Sequence, residues 1–350
     1  MFKKQKFLGL VIMVISFTFI FAHLPTSEAH ILIIADSNNY NEAKTISYSL
    51  KSRGYPVLEL YKENATAKKI VKGMYNADAI IYAGHGGYQS GNYVTGGTAK
   101  PPFALVGYDT FIWGIGDKMR IGWSGNLFKP PVKKYIPVIL LHTCLSTGYV
   151  GSTEVRNPTE TIYYFSRMFR GTGANYYATA WNGGEIIYDF LNGATSFANA
   201  NQKNYEVIKK STTYNGTYIW RNDHGHSAFV GNWSAKFPSV SQTTKYNDSA
   251  AESWYKTYVL NIKPDLVVTN AYKSGNYLCI TIKNQGKATS GACYTRAYYG
   301  SYCKDIYTYG LAPGTSKSYA VSFTYAHGTV KTDYQSKILE LSESNNIKTF

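Results

Sequence analysis

Acidic side chains are scarce in this chain: 21 Asp and Glu stand against 36 Lys and Arg, a formal charge of +15 at pH 7 with a pI near 9.3. That imbalance favours acidic partners such as anionic wall polymers or membrane surfaces. It does not carry a nucleic-acid reading, because no basic cluster, zinc spacing or recognition-helix pattern accompanies it. Charged residues make up only 16% of the chain against 44% hydrophobic, which excludes a disordered protein. Long apolar runs are missing after the N-terminus, so no later segment is expected to cross a bilayer. A repeat period is missing too, which sets aside a solenoid. Cysteines number only four: Cys144, Cys279, Cys293 and Cys303. The last three lie close together, and in an oxidising compartment two of the three are open to pairing, Cys293 with Cys303 across a hairpin being favoured over a bond to Cys279. Cys144 stands alone.

What is present begins with compartment. "MFKKQK" is a basic start, "FLGLVIMVISFTFIFAHL" a long apolar run, and Ser27-Glu28-Ala29 leaves small residues at the minus-three and minus-one positions. Residues 1–29 therefore read as a signal peptide, cleaved in preference to being kept as an anchor. The remainder is expected to be secreted or cell-surface associated, with no stable membrane span once the signal is removed. Thirty-three tyrosines and the Asn-X-Ser/Thr acceptors at Asn64, Asn215, Asn232 and Asn247 agree with an exported chain.

The 350 residues suffice for two domains. From His30, short apolar runs alternate with helical spacing. "ILIIA", "YPVLELY", "DAIIYA", "IPVILLHTC" and "GANYYATAW" read as strands, with helices in "YNEAKTISYSLKSRG", "NATAKKIVKGMYN", "TETIYYFSRMFRG" and "GEIIYDFLNGATSFANA". Such continuous apolar strands imply an α/β fold whose mostly parallel sheet is covered on both faces. The stretch 88–135 is too long for a simple crossover and reads as a hairpin-like excursion, "FALVGYDTFIWGIGDKMRIGW". A polar linker at 239–263 follows the α/β domain at 30–238. Beyond it, residues 264–350 carry short alternating strands divided by Gly, Asn and Ser turns, the pattern of an all-β sandwich.

Ligands of an open parallel sheet bind past the carboxyl ends of its strands. His85, within Gly84-His85-Gly86-Gly87, follows the third strand, and Cys144 ends the fourth. If those strands are neighbours, about 4.8 Å apart, imidazole and thiol share one rim. A thiol needs such a base to become a reactive thiolate. The glycines after His85 would free an N–H for an oxyanion and let substrate approach the backbone. Taken singly, each residue is as readily a turn histidine or a core cysteine; the paired positions are what suggest chemistry. By strand alternation His142 faces the same side as Cys144, as a competing base or, more simply, as a satisfied core histidine. Asp36 reaches the rim from the first strand, either favouring a basic substrate residue or starting the helix beyond it. The cluster Asn222-Asp223-His224-Gly225-His226 lacks the spacing of a metal-ligand set, so no metal is assigned.

"DAIIYAGHGG" followed by "VILLHTCLSTG" resembles the caspase-like cysteine peptidases, the group of caspases, metacaspases, legumains and gingipains. "FRGTGANYYATAWNGG" is similar to their next helix and strand, and "HSAFVGNWSAKFP" to the region that closes gingipain-type domains, although Gly231-Asn232-Trp233 stands where Gly-Asp-Pro is usual. The resemblance implies a three-layer α/β sandwich over about 31–238. It implies His85 as general acid/base, Cys144 as nucleophile, the backbone N–H groups of Gly86 and Cys144 as oxyanion hole, and Ala180 and Trp181 lining the substrate pocket. His142 departs from the acidic residue or glutamine common two positions before the cysteine. No cofactor is required, and calcium, structural in some relatives, is not demanded.

"PDLVVTNAYKSGNYLCITIKNQGKATSG", "LAPGTSKSYAVSF" and "LSESNN" resemble the CARDB module, an immunoglobulin-like sandwich of exported prokaryotic proteins, through the Asn284-Gln285-Gly286 turn and the closing Glu343-Ser344-Asn345-Asn346. That likeness implies adhesion or spacing. Together these readings give an exported cysteine peptidase acting on polypeptide. The alternatives are a non-catalytic surface adhesin that binds a cell-wall or surface polymer, and a hydrolase or transpeptidase of wall cross-bridges.

Overall fold

The apolar runs become strands buried on both faces. The computed structural model describes residues 30–350 apart from Asn92, Ser124, Asn182, Glu206 and Thr244, so the export segment read at 1–29 lies outside the described residues. In chain order β1 (Ile31–Ala35), α1 (Tyr40–Lys51), β2 (Val57–Tyr61), α2 (Ala67–Gly73) and β3 (Ala79–Ala83) come first. The excursion follows as β4 (Gly86–Tyr88), β5 (Phe103–Val106), β6 (Phe111–Ile115) and β7 (Lys118–Ile121), a small antiparallel sheet of its own. Next are β8 (Pro137–Leu141), the two-residue β9 (Tyr149–Val150) and β10 (Thr153–Glu154), then α3 (Pro158–Arg170), β11 (Asn175–Thr179), α4 (Glu185–Leu191) and α5 (Phe197–Lys203). Three antiparallel strands close the unit: β12 (Ile208–Tyr214), β13 (Thr217–Asn222) and β14 (Ser227–Val230).

The eight-stranded sheet runs β2-β1-β3-β8-β11-β14-β13-β12. Its first five strands are parallel and its last three antiparallel. Strand alternation divides the core in two. Leu32, Ile34, Ile80, Tyr82, Val138 and Leu140 pack with α2, α3 and the small sheet, while Ile31, Ile33, Ile81, Ile139 and Leu141 pack with α1, α4 and α5. The result is a three-layer α/β unit with a mostly parallel sheet. Its strand order reverses at β1 and β3, the kind of place where such sheets bind ligands.

Two stretches differ from the sequence reading. The strand β12 has no apolar alternation to announce it, since Lys209, Lys210, Ser211, Thr212 and Thr213 are all exposed, and its partner β13 alternates only over Thr217, Tyr218 and Ile219. What makes the hairpin is Asn215-Gly216, whose φ values of 46° and 72° supply the two left-handed residues of a tight primed turn. The segment 239–263 is more than a linker. It holds α6 (Asp248–Trp254) and a π-helical turn (Tyr255–Val259), fixed to α2 by Lys72 Nζ, 2.8 Å from both Asp248 Oδ1 and Glu252 Oε2. Tyr255 and Val259 are buried in the same core as α2. No helix among the described residues is long and apolar enough to cross a membrane.

The C-terminal unit stacks two sheets. One holds β15 (Leu266–Ser274), β16 (Tyr277–Asn284) and β19 (Ser316–Ser322). The other holds β17 (Cys293–Tyr299), β18 (Tyr302–Thr308), β20 (Thr329–Lys331) and β21 (Ile347–Thr349). Leu266, Leu278, Ile280, Ile282, Ala297, Phe323 and Val330 fill the space between them. The expected Cys293–Cys303 disulfide is absent. Cys293 opposes Thr308 and is buried between the sheets, whereas Cys303 opposes Tyr298 at the other end of the ladder and is exposed. All four cysteines are free thiols.

Asn284, wholly buried, holds the turn that the sequence singles out. Its Oδ1 accepts from the amides of Asp265 and Gly286 at 3.0 Å, and its Nδ2 donates to the carbonyls of Ala288 and Leu311 at 2.8 Å. Truncating it leaves several buried backbone groups without partners, each costing about 1–3 kcal/mol. Asn284→Ala is therefore expected to destabilise the sandwich by about 3 kcal/mol or more, read as an earlier denaturant midpoint for that unit with the α/β transition unchanged.

Candidate active site at the ends of β3 and β8

The glycines around His85 answer to packing. None of Gly84, Gly86 and Gly87 has positive φ. A Cβ on Gly84 would meet the Tyr82 ring at 2.9 Å, and one on Gly87 would meet Phe111 at 2.7 Å. A Cβ on Gly86 would overlap the Cys144 carbonyl oxygen outright and stand 2.9 Å from its carbon. Only hydrogen at residue 86 lets the two chains pass at this distance. The same contact brings the turn that carries Cys144 against the one that carries His85, because β3 and β8 are adjacent and in register, Ala83 opposite Leu141.

His85 is well exposed, its side chain 62% accessible, on a backbone that is fixed. The buried Tyr82 hydroxyl donates to the His85 carbonyl at 2.8 Å and accepts from the Val106 amide at 3.0 Å, and burial pushes that hydroxyl's pKa far up. Asp36 divides its two oxygens. Oδ1 accepts from the Asn38 and Asn39 amides, at 3.0 and 2.9 Å, and so makes the turn into α1. Oδ2 has no hydrogen-bond partner and lies 3.6 Å from His85 Nε2, an electrostatic pairing longer than a hydrogen bond. Both roles expected of this position, turn and rim, are therefore compatible.

The fourth strand stops at Leu141, so Cys144 lies in a turn three residues past it instead of ending it. His142 has φ 55° and Leu145 φ 69°, so the backbone here is no longer a strand, although His142 still lines one cavity with Cys144. The His142 ring is engaged: Nε2 is 2.9 Å from Glu42 Oε2 and Nδ1 3.1 Å from the Ala180 carbonyl. The hydrogen bond to Glu42 raises the pKa of His142, and the same bond lowers that of Glu42. Glu42 also accepts from the Gly184 amide at 2.8 Å through Oε1, tying α1 to the loop that follows Trp181. Sequence reasoning missed Glu42, which looks like any acidic residue in a first helical turn. The one signal was Gly183-Gly184, where a side chain on Gly183 would collide with the carboxylate.

The expected site residues line two cavities. His142, Thr143, Cys144, Tyr149, Gly151, Ala180 and Trp181 enclose about 140 Å³. Asp36 and His85 line another of about 170 Å³ at the β1–β3 reversal, with Ile34, Lys62, Tyr82 and Tyr108. Around the first, Trp181 is half exposed and its ring lies 5.5 Å from His226, while the Tyr149 hydroxyl donates to the His224 carbonyl at 2.8 Å. The loop 222–226 is thus a wall beside the thiol cavity.

Two amides complete the rim. Val106 donates to the His85 carbonyl at 3.2 Å, so His85 and Val106 form a bonded pair and the next row, Gly86 with Leu105, does not. The Gly86 N–H consequently points away from β5, at the free edge of the small sheet. The Cys144 N–H has no hydrogen bond to another group among the described residues.

Comparison with known proteins bears on the other unit. Residues 262–350 match the CARDB family model. The C-terminal sandwich is a CARDB domain. Two solved structures are similar to it: a crystal structure of a CARDB domain from Pyrococcus furiosus in complex with di-metal ions, 23% identical over 25% of this chain and 85% of that one with a TM-score of 0.23, and the solution structure of that domain, 25% identical over 25% and 92% with a TM-score of 0.22. No curated protein matches the chain. The CARDB domain begins at 262, two residues before the expected boundary, and the rim of His85 and Cys144 lies outside it.

The Glu42–His142 pair sets a pH dependence. His142, raised above its ordinary 6.5, contributes stability that is complete below 6.5 and is lost as pH rises through its folded value. Glu42, lowered from 4.5, contributes above 4.5 and loses it as pH falls through its folded value. Both contributions are complete between these ordinary values. With both side chains partly exposed the pair is worth no more than about 1 kcal/mol. Glu42→Gln is expected to lower the thermal midpoint of the α/β unit more at pH 5.5 than at pH 9, and an equal shift at both would show the pair to be silent.

Proposed function

We propose that the chain is an exported cysteine peptidase of the caspase-like type, with Cys144 as nucleophile and His85 as general acid/base. One observation carries this reading: the backbone of Gly86, next to His85, is packed directly on the backbone of Cys144. The parallel order of β2, β1, β3, β8 and β11 supports it, as do the Gly86 and Cys144 amides left without a backbone partner at the rim.

In this reading the Cys144 thiol gives its proton to the His85 imidazole and the sulfur attacks the carbonyl carbon of a bound peptide bond. The carbonyl electron pair moves to oxygen, where the Gly86 and Cys144 amides hold it. As the C–N bond breaks, His85 returns the proton to the departing amine, leaving a thioester on Cys144. Water, deprotonated by His85, attacks the thioester and releases the acid and the free thiol. Asp36 Oδ2, 3.6 Å from Nε2, orients the imidazole. Ala180 and Trp181 border the space for the residue before the scissile bond, with His142 held out of proton transfer by Glu42. The CARDB domain serves attachment or spacing at the cell surface, and the substrate is a polypeptide, wall cross-bridges included.

A non-catalytic surface-binding role is the second reading. It is favoured by the tyrosines that the CARDB domain turns to solvent, among them Tyr272, Tyr277, Tyr307 and Tyr309.

A thiol-directed acyl probe discriminates the two. Cys144 is expected to label, and His85→Ala to slow both labelling and peptide hydrolysis by about 10²–10⁴-fold. Asp36→Asn should cost less, since it leaves both reacting side chains in place. A Cys144 that labels no faster than Cys303, with no hydrolysis of denatured protein or wall peptide, would leave the binding role.

A further inference from the structure

The small sheet β4–β7 has two faces. On one, Phe103, Leu105, Ile112 and Met119 join the core beside α2 and α3. The other continues from the rim of His85. Residues directly opposed in an antiparallel ladder share a face, so His85, Val106 and Phe111 form one row across it, and Gly87, Ala104, Trp113 and Arg120 the next. Phe111 leans over this face: its ring lies 2.7 Å from where a Cβ of residue 87 would stand. Residues two apart in a strand point the same way, which makes that ring the neighbour of the His85 side chain.

The aromatic surface extends outward from there. Between ring centres, Trp113 stands 5.1 Å from Phe111 and Trp123 4.8 Å from Trp113, with the Arg120 guanidinium 4.7 Å from the Trp123 ring. Phe111 is 38% exposed and Trp123 50%. Single exposed aromatics are ordinary, but three in contact beside a reactive rim make a binding surface. Arg120 Nε is buried with no hydrogen-bond partner, and among the described residues no carboxylate forms an ion pair with this guanidinium. The direction of a bound substrate follows from strand order. Cys144 leaves β8, which lies between β3 and β11. The cavity of Tyr149, Ala180 and Trp181 is on the β11 side of the sulfur and His85 on the β3 side. The acyl part of a cleaved peptide stays on sulfur while the departing amine takes its proton from His85. The residue before the cut therefore lies toward β11, and the chain after it passes His85 onto the outer face of the small sheet.

We propose that the shelf of Phe111, Trp113 and Trp123 binds the polypeptide segment that follows the scissile bond, taking a large apolar or aromatic side chain in its first positions and an acidic one at Arg120. Three strand spacings of about 4.8 Å separate β4 from β7, which an extended chain covers in about four residues. The acidic side chain accordingly falls about four residues past the cut. It supplies the counter-charge that Arg120 lacks, in keeping with a chain whose charge of +15 attracts acidic partners. The direction assigned to the substrate rests on the peptidase reading, whereas the shelf itself is tested without turnover.

Paired substrates test it on the full chain. They share every residue before the cut and carry two phenylalanines or two glycines after it, with glutamate or glutamine in the fourth place. The expected result is a kcat/KM about tenfold or more higher for phenylalanine, brought to within about twofold by Trp123→Ala. Arg120→Gln should remove the preference for glutamate over glutamine and leave the preference for phenylalanine. Peptides matching only the segment after the cut, titrated against tryptophan fluorescence, should bind in the same order, and this comparison decides the shelf even where Cys144 proves inert. Labelling of Cys144 by the acyl probe, which has no residues after the cut, reports on the nucleophile alone. Phe111→Ala uncovers Gly87 and risks the sheet, so Trp123→Ala, at an exposed turn position and expected to melt like the wild type, carries the comparison. Equal rates and equal binding for the paired peptides would overturn the proposal, whatever the labelling. So would undiminished selectivity in Trp123→Ala, or saturable binding of a chitin oligosaccharide in place of peptide, which would make the shelf a sugar platform.

Discussion

The Cys144 carbonyl occupies the space that a side chain at residue 86 would need. Two loops that leave adjacent parallel strands are pressed together there with nothing between their backbones. Strand pairing alone sets β3 and β8 about 4.8 Å apart. The contact extends that proximity past the last ladder bond, into the turns where imidazole and thiol sit. It requires glycine at one position and left-handed backbone at His142 and Leu145 on the other side. These residues have little freedom to change independently, because each one shapes the path the other loop must follow.

Around that contact, side chains do double duty. Asp36 uses one oxygen to begin α1 and leaves the other beside His85. Tyr82, deep in the core, spends its hydroxyl on the His85 carbonyl and so couples the packing of the lower layer to the position of the rim. Glu42 bridges a helix, the His142 turn and the loop after Trp181. Loops past a sheet's edge have no ladder to hold them, and these three side chains provide the substitute.

Much of this was legible from pattern. Five-residue apolar runs gave the parallel strands, because burial on both faces leaves no room for polar alternation. The rim followed, since a residue just past a strand can only be at its end. What pattern could not give was anything decided by a single torsion angle or by contacts between distant segments. The alternation argument for His142 stops at the strand's end, where left-handed backbone takes over, although His142 and Cys144 still line one cavity. The hairpin of β12 and β13 carried one sequence signal, Asn215-Gly216, which stood unframed because the exposed lysines and threonines of β12 give no periodic pattern. The Cys293–Cys303 pairing failed because proximity in sequence says nothing about which face of a strand a thiol occupies. Glu42 became visible only with its partners, roughly 100 and 140 residues away in the chain.

The strand β12 also decides where the sheet ends. An open sheet exposes a row of unpaired amides and carbonyls along its last strand, an invitation for another chain to add on. Here that strand offers Lys209, beside a Lys210 whose Nζ lies 3.0 Å from Asp223 Oδ1, with three hydroxyl residues after them, and the primed turn at Asn215-Gly216 twists its far end. A second molecule aligned edge to edge would bring like charges face to face on a strand with almost no apolar surface to compensate. Growth of the sheet into a larger assembly is thereby discouraged on this side by charge, on a molecule whose overall excess of positive charge already keeps copies apart.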